Sequence, residues 1–170
     1  MNPEIKSEIS NPKSAMIWKL LGEIPDPEIP VISIVELGIA RNVEWLDDKV
    51  IVSITPTYSG CPAMKVIEQE IISSLHEQGF EAEIKTVFSP VWTTDWINDS
   101  AKEKLRVYGI APPEKSSTDK NRLFIQPKKI HCPRCKSENT EIISQFGSTA
   151  CKALYRCKDC REPFDYFKCH

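Results

Sequence analysis

Seven cysteines carry most of the chemistry that this 170-residue chain could perform. Four of them form two C-x-x-C pairs near the C-terminus, with 21 residues between the pairs. Two thiolates from one tight turn can reach the same ion, and two such turns complete a tetrahedral set of four sulfur ligands. The spacing therefore predicts a β zinc ribbon over residues 130–170, with the ligands Cys132, Cys135, Cys157 and Cys160.

Zinc is the favoured ion for this site, because closed pairs of ribbon turns are typical structural zinc sites. Four thiolates can also hold iron or an iron–sulfur cluster, so that alternative stays open. A segment this small could hardly fold without its ion, and we expect the metal to supply much of its folding free energy. The four-sulfur set is complete without the remaining groups, which are either ordinary side chains or extra ligands: Cys151, Cys169 and His170.

Cys61 stands apart from the other six cysteines, within the stretch T-P-T-Y-S-G-C-P-A-M. Pro62 suits the first position of a helix, since its missing N–H is not needed there. This places Cys61 at the N-cap, where the helix dipole and free N–H groups would lower the pKa of the thiol. The residue could then be a nucleophile, a redox thiol or a metal ligand; the alternative is a small buried residue at a strand–helix junction.

Two polar residues could share a site with this thiol. Thr55 ends the predicted strand before Cys61, and its hydroxyl could point toward the sulfur. Asp26 lies in the loop D-P-E-I-P, and acidic residues between prolines are more often turn residues exposed to water. Asp26 becomes a site candidate only if its loop folds toward Cys61.

The patterns around these residues predict a compact α+β domain over residues 1–110. Apolar residues at helical spacing predict helices, and alternating apolar residues predict strands. Gly79 should end the helix that follows Cys61, because glycine suits the left-handed residue after a helix. The predicted elements are a helix at 14–24, a hairpin at 39–55, a helix from Met64, a strand from Phe80 and a helix ending at Gly109.

The C-terminal part of the chain differs in composition. Residues 111–129 are polar, flanked by prolines and without clear periodicity, so they predict a linker with a short strand at Leu123–Gln126. From residue 126 to the end, nine Lys/Arg face five Asp/Glu, a balance of +4. The ribbon is therefore expected to be a distinct unit with a modest positive charge.

Composition narrows the class of protein. Hydrophobic residues make up 41% and charged residues 27%, which are ordinary values for a globular protein. No apolar run approaches the ~20 residues of a membrane-spanning helix, and the N-terminus lacks the pattern of a secretory signal. We therefore expect a cytoplasmic protein without membrane contact, whose clustered cysteines bind metal rather than form disulfides. A net charge of −2 makes nucleic-acid binding unexpected.

Several motifs together carry a family resemblance. The set D-P-E-I-P, T-P-T-Y-S-G-C-P-A-M, V-W-T-T-D-W-I and Y-G-I-A-P-P resembles the small α+β domain of iron–sulfur assembly and maturation factors. With C-P-R-C, F-G-S-T-A-C-K-A-L-Y-R-C-K-D-C and E-P-F-D-Y-F-K-C-H added, the chain resembles the PaaD (PaaJ) family of the bacterial phenylacetate-degradation cluster. The resemblance covers about residue 16 to residue 170, except the middle of the linker. It implies a three-stranded sheet with helices, followed by the zinc ribbon.

The resemblance also implies a function in the aerobic phenylacetyl-CoA pathway. There a multicomponent di-iron monooxygenase (epoxidase) works with a reductase that carries a flavin and a [2Fe-2S] cluster. The family's domain implies an accessory factor that helps iron or an iron–sulfur cluster reach the oxygenase or reductase components. The alternatives are a structural or regulatory subunit of the monooxygenase, and a thiol enzyme; a homodimer stays open.

The implied transfer site carries over to particular residues. The family's functional cysteine corresponds to Cys61, its aspartate to Asp26 and its threonine to Thr55, and zinc and a transient iron or cluster are the implied metals. The positions of Cys151, Cys169 and His170 also fit the family pattern. The sequence contains neither the paired E-x-x-H helices of a di-iron oxygenase nor a G-x-G-x-x-G nucleotide motif, so a non-catalytic accessory protein is expected.

Overall fold

A computed structural model describes residues 12–58, 60–113 and 130–168 of the chain. The chain divides into two compact units, Met1–Ala101 and Lys102–His170. The predicted linker from residue 114 onward lies outside the described residues, and so do its predicted short strand, Cys169 and His170. No helix within the described ranges has the length and apolar character needed to cross a bilayer.

The first unit is built on a three-stranded sheet in the order β1-β2-β3. β1 and β2 form the predicted antiparallel hairpin, whereas β3 runs parallel to β2 and is connected to it by a crossover helix. Asp47 has a φ of 54° in the hairpin turn. The elements are α1 (Pro12–Glu23), β1 (Ala40–Leu46), β2 (Lys49–Ile54), α2 (Ala63–Glu77) and β3 (Glu81–Thr86), followed by α3 (Asp99–Tyr108), which crosses the boundary between the units.

The core of the first unit follows the sequence periodicity. Val50, Val52 and Ile54 alternate along the central strand and are fully buried. One face of α2 is buried at helical spacing, and Gly79 ends this helix with a φ of 80° while its N–H donates to the His76 carbonyl at 2.9 Å. These features confirm the predicted hairpin, the second helix and its end. They fix the C-terminal end of β2 beside the start of α2, where Thr55 and Cys61 lie.

The second unit contains a four-stranded sheet in the order β4-β7-β6-β5. β5, β6 and β7 form an antiparallel ribbon, and β4 adds to β7 in parallel. This pairing places residues 110–111 in the ribbon sheet, so the unit boundary differs from the predicted one at residue 110. The strands are β4 (Ile110–Ala111), β5 (Thr140–Ser144), β6 (Lys152–Cys157) and β7 (Pro163–Phe167).

Candidate functional site

The four predicted ligands converge in the second unit. Their sulfur atoms all lie within 4.8 Å of one another. Cys132 Sγ is 3.7 Å from Cys160 Sγ, and Cys135 Sγ is 3.5 Å from Cys157 Sγ. A tetrahedral ion with metal–sulfur bonds of about 2.3 Å separates its sulfur ligands by roughly 3.8 Å. The cluster therefore fits one tetrahedral metal ion.

The two cysteine turns are folded alike. In each, the N–H of the first cysteine donates to the carbonyl five residues further on: Cys132 to Ser137 at 2.9 Å and Cys157 to Glu162 at 3.0 Å. The residue after each pair adopts the left-handed conformation that closes such a turn. These residues are Lys136 and Arg161, each with a φ of 64°.

A polar clamp that the sequence analysis missed links the two turns. Asp159, inside the second turn, lies 2.5 Å from the Ser137 hydroxyl and accepts a hydrogen bond from the Asn139 side chain at 2.7 Å. These hydrogen bonds, first that of Ser137 and then that of Asn139, lower the pKa of Asp159. The sequence does contain the polar residues of this clamp, in the stretch C-K-S-E-N that ends the first turn and in C-K-D-C of the second turn. The clamp adds two side-chain hydrogen bonds between the segments that carry the cysteine pairs.

The metal-free thiols differ in how easily they ionise. The N–H of Cys160 is the main cause that lowers the pKa of Cys157, to about 7. For Cys160 the N–H of Glu162 acts to lower the pKa, but removal from water and the neighbouring thiols outweigh it and raise the pKa to about 12. A metal bound by four thiolates must therefore displace protons, so metal affinity should fall on acidification.

The group of four cysteines has two buried and two exposed members, and we call the exposed side its open edge. Cys132 and Cys157 are buried, whereas Cys135 and Cys160 are exposed. Cys151 is also buried, but its sulfur lies 3.0 Å from the Thr149 hydroxyl and outside the group of four. Because Cys169 and His170 lie outside the described residues, the prediction of extra ligands stays a prediction.

Cys61 lies at the start of α2, one residue further from the helix than predicted. The helix begins at Ala63, and Pro62 occupies the cap position with helical dihedrals and no side-chain cap. The N–H of Cys61 donates to the Tyr58 carbonyl at 3.3 Å, and its own carbonyl accepts from the N–H of Met64 at 3.3 Å. Cys61 therefore belongs to the turn before the helix rather than to its N-cap.

The predicted lowering of the Cys61 pKa is wrong. Burial of the thiol raises its pKa, and this outweighs the lowering effect of the N–H of Ala63 and the Tyr58 side chain. The charges of Glu28 and Asp26 raise the pKa further. These two charges act on the thiol because the D-P-E-I-P loop folds toward Cys61, which was the condition set for Asp26 as a site candidate.

Asp26 is a buried turn residue rather than an exposed one. Only 6% of it is exposed. Its Oδ1 atom accepts hydrogen bonds from the N–H groups of Glu28 at 2.9 Å and Ile29 at 2.8 Å. The carboxylate thus fixes the loop from which it and Glu28 act on Cys61.

Thr55 contributes an unsatisfied polar atom to this region. Its backbone N–H donates to the Ile39 carbonyl at 2.9 Å, but its hydroxyl is buried and has no hydrogen-bond partner within the described part of the chain. A buried hydroxyl without a partner costs roughly 1–3 kcal/mol, so such groups often mark the place of a ligand or water. This part of the first unit therefore offers a half-buried thiol, two carboxylates whose charges act on it, and a buried hydroxyl without a partner among the described residues.

The raised pKa of Cys61 predicts slow alkylation near neutral pH. Iodoacetamide reacts with the thiolate, so the rate at Cys61 should keep rising with pH beyond the ordinary thiol value of 9.0. Mass spectrometry of the metal-loaded protein can follow Cys61 separately from the ribbon cysteines. The peptide Y-S-G-C-P-A-M serves as the control and should react faster at pH 7–8. A rate that levels off below pH 8 would contradict the raised pKa.

Comparisons with known proteins find one family model for each of the two units. A family model described as "Iron-sulfur cluster assembly protein" matches residues 14–86, which include Asp26, Thr55 and Cys61. A second one, described as "PaaD zinc beta ribbon domain", matches residues 116–168, which include the four clustered cysteines. The sequence thus combines two domain types in one chain.

Among individual relatives, one matches nearly the whole chain and two match about half of it. A protein of Escherichia coli named as a subunit of 1,2-phenylacetyl-CoA epoxidase is 49% identical over 162 residues, 95% of this chain and 96% of that protein. An Fe-S protein maturation auxiliary factor of Porphyromonas gingivalis is 32% identical over 92 residues, 52% of this chain and 87% of that protein. The crystal structure of a domain of unknown function (DUF59) from Bacillus anthracis matches with a TM-score of 0.50 and 25% identity, over 54% of this chain and 89% of that one.

Proposed function

Because the chain belongs to the PaaD family, together with the 1,2-phenylacetyl-CoA epoxidase subunit of Escherichia coli, we propose that it helps iron or an iron–sulfur cluster reach the epoxidase or its reductase. Its role in phenylacetate catabolism and its iron–sulfur-assembly-type domain follow from that membership. The observation that carries the finer proposal is the grouping of Cys61 with the Asp26 loop in this domain. The protein acts as a non-catalytic accessory factor.

In this proposal Cys61 is the ligand that binds the cargo, by which we mean the iron or iron–sulfur cluster that is transferred. Its raised pKa keeps the thiol protonated at neutral pH, so the free protein presents a weak nucleophile that is slow to oxidise. When iron binds, the sulfur–iron bond forms and the thiol proton passes to water. Asp26 and Glu28 disfavour an uncompensated thiolate and favour a cation at the same place. A single thiolate gives exchangeable binding, which suits transfer to a client protein.

Thr55 completes the transfer site in this proposal. Its hydroxyl can donate one hydrogen bond, and the described residues offer it no acceptor. A sulfide or thiolate sulfur of the cargo would provide one. The buried position of Thr55 also means that its hydroxyl is ordered before the cargo arrives, so little side-chain entropy is lost on binding.

The ribbon holds a resident structural ion, for which we propose zinc. The sulfur separations of 3.5 and 3.7 Å fit four ligands around one ion, and zinc takes this arrangement without redox chemistry. The residues that would hold it are Cys132, Cys135, Cys157 and Cys160. The ion supplies folding free energy to the second unit, not a reaction step.

Deleting the gene tests this function. In the deletion strain the reductase should be made but should lack its [2Fe-2S] cluster, because the cluster no longer reaches it. Anaerobic purification followed by iron and sulfide analysis and an absorption spectrum measures the loading. A strain that regains loading from a plasmid copy provides the control. A fully loaded and active reductase in the deletion strain would overturn the proposal.

A structural or regulatory subunit of the epoxidase is the second candidate, favoured by the name of the Escherichia coli relative as a subunit. It requires the chain to be present in fixed stoichiometry in the active complex. Purification of the complex distinguishes the two. A maturation factor is absent from active complex, whereas a subunit co-purifies with it and its removal lowers activity without removing iron.

A further inference from the structure

The two compact units carry opposite charges. The first unit, residues 1–101, has seven Lys/Arg and sixteen Asp/Glu, a net charge of −9. The second unit, residues 102–170, has fifteen Lys/Arg and eight Asp/Glu, a net charge of +7. The chain's net charge of −2 conceals this division. A positively charged surface attracts partners of the opposite sign and speeds their association.

Part of the positive charge is concentrated on the metal-binding turns. Each C-x-x-C pair has one basic residue between its cysteines and another directly after them, and all four are exposed. The same turns expose Cys135 and Cys160. We name this set the turn cations: Arg134, Lys136, Lys158 and Arg161.

Two of the turn cations have no acidic partner among the residues that the structure describes. Lys158 pairs with Glu141 at 3.2 Å, and the same carboxylate also contacts Arg156. Arg134 and Arg161, in contrast, form no ion pair with any residue in the described ranges. A guanidinium group binds a carboxylate through two parallel hydrogen bonds, so these arginines are suited to anchor an acidic partner.

Arg161 also borders a concave surface. A cleft of about 410 Å³ is lined by Glu141, Arg156, Cys157, Lys158 and Arg161. Three of these five side chains are cationic and one is a metal-cluster cysteine. The cleft is large enough to admit acidic side chains from a partner, and its lining residues lie on β5, β6 and the second cysteine turn.

The pattern of charges favours a protein over a nucleic acid. Asp159 and Glu162 lie among the turn cations, where they would repel a continuous phosphate backbone. The turns contain no Phe, Tyr or Trp on which bases could stack. Tyr155 and Phe164 in the ribbon stack on each other instead, with ring centroids 5.9 Å apart. Discrete carboxylates on a folded surface fit this mixed pattern better.

We propose that Arg134 and Arg161 anchor the second unit on an acidic protein surface of the epoxidase system. This deepens the proposed function by giving the chemistry of the partner surface, and it rests on that function for the identity of the partner. The metal orders the two turns that carry the arginines, so the ion and the docking surface are coupled. In this arrangement the open edge of the four-cysteine group, with Cys135 and Cys160, faces the partner.

Binding to the purified epoxidase complex from the deletion strain tests the proposal. The metal-loaded full chain is titrated at low salt as wild type, as Arg134→Glu/Arg161→Glu, and as Lys19→Glu/Lys85→Glu. The last variant changes the net charge of the chain equally, but at exposed residues on α1 and β3 of the first unit. The arginine variant should bind at least roughly 30-fold more weakly and the lysine variant less than about threefold, because charge reversal at an anchor costs far more than at a residue outside the proposed surface. Raising the salt should weaken the wild type most.

Several results would overturn the docking proposal. These are equal weakening by both variants, no binding by the wild type, or competition by a 20-base-pair DNA duplex at equal affinity. Self-association of the wild type that the arginine variant abolishes would assign the surface to a second copy. If the charge-reversal variant fails to retain one metal per chain, Arg134→Gln/Arg161→Gln should still weaken binding about fivefold or more. Cluster loading in the deletion strain is scored separately, so docking and maturation can fail independently.

Discussion

A chain carrying Cys61→Ala is expected to fold and to keep the ribbon metal, but to give no cluster loading of the reductase in the cell. The reductase of a strain with this variant should be as poor in cluster as that of the deletion strain, because no other described residue near the Asp26 loop offers a thiolate. The thiol is only partly buried, so its loss should cost less than about 1.5 kcal/mol of stability. Iron and sulfide analysis of the reductase measures the effect.

The matched control for this variant is Val66→Ala on the same helix. Val66 is 44% exposed and lies five residues after Cys61, so its truncation shortens a side chain on the same helix without removing a ligand. Reductase from the Val66→Ala strain should be loaded as in the wild type. Normal cluster loading in the Cys61→Ala strain would contradict the transfer role, and the protein would then act through its surfaces alone. Equal loss in both strains would instead point to a folding defect.

The periodic elements of the fold could be predicted from the sequence because their signals are local. The alternation of Val50, Val52 and Ile54 and the helical spacing from Met64 to Leu75 directly report which faces are buried. The pairing of β4 with β7 had no such signal, since a two-residue strand shows no periodicity and gains its place from the strand beside it. The unit boundary therefore became visible only in the structure.

The two sites differ in how far their chemistry could be predicted. The four ribbon ligands followed from spacing alone, because each C-x-x-C turn fixes its own two sulfur atoms. The environment of Cys61 depends on a loop about 35 residues earlier in the chain, and nothing local to T-P-T-Y-S-G-C-P-A-M indicates that Asp26 and Glu28 act on it. The helix N-terminus suggested a lowered pKa, but burial and two carboxylates reversed the direction. Long-range contacts therefore decided the property that matters most for the proposed transfer.

The second unit should lose its fold when its metal is removed. Its buried cluster is small, and two of its members are ligand cysteines, Cys132 and Cys157. Structural zinc supplies an apparent binding free energy of about 10–16 kcal/mol, which is comparable with the total stability of a typical domain, about 5–15 kcal/mol. A strong chelator should therefore remove the dispersed amide NMR signals of β5, β6 and β7 and leave those of the first unit, whose sheet and core contain no metal ligand.

Single ligand variants should show the same dependence in graded form. Cys132→Ser and Cys157→Ser replace buried sulfurs and should abolish metal retention, whereas Cys135→Ser and Cys160→Ser change the exposed edge and should weaken it less. Cys151→Ala is the control, since its sulfur is buried but lies outside the group of four, and it should keep one ion per chain.

Acidification should mimic the chelator, because protons compete for thiols whose pKa values reach about 12 in the metal-free protein. Dispersed ribbon signals in the metal-free wild type would show that the Ser137–Asn139–Asp159 clamp holds the turns without an ion, and the metal would then have to serve something other than folding.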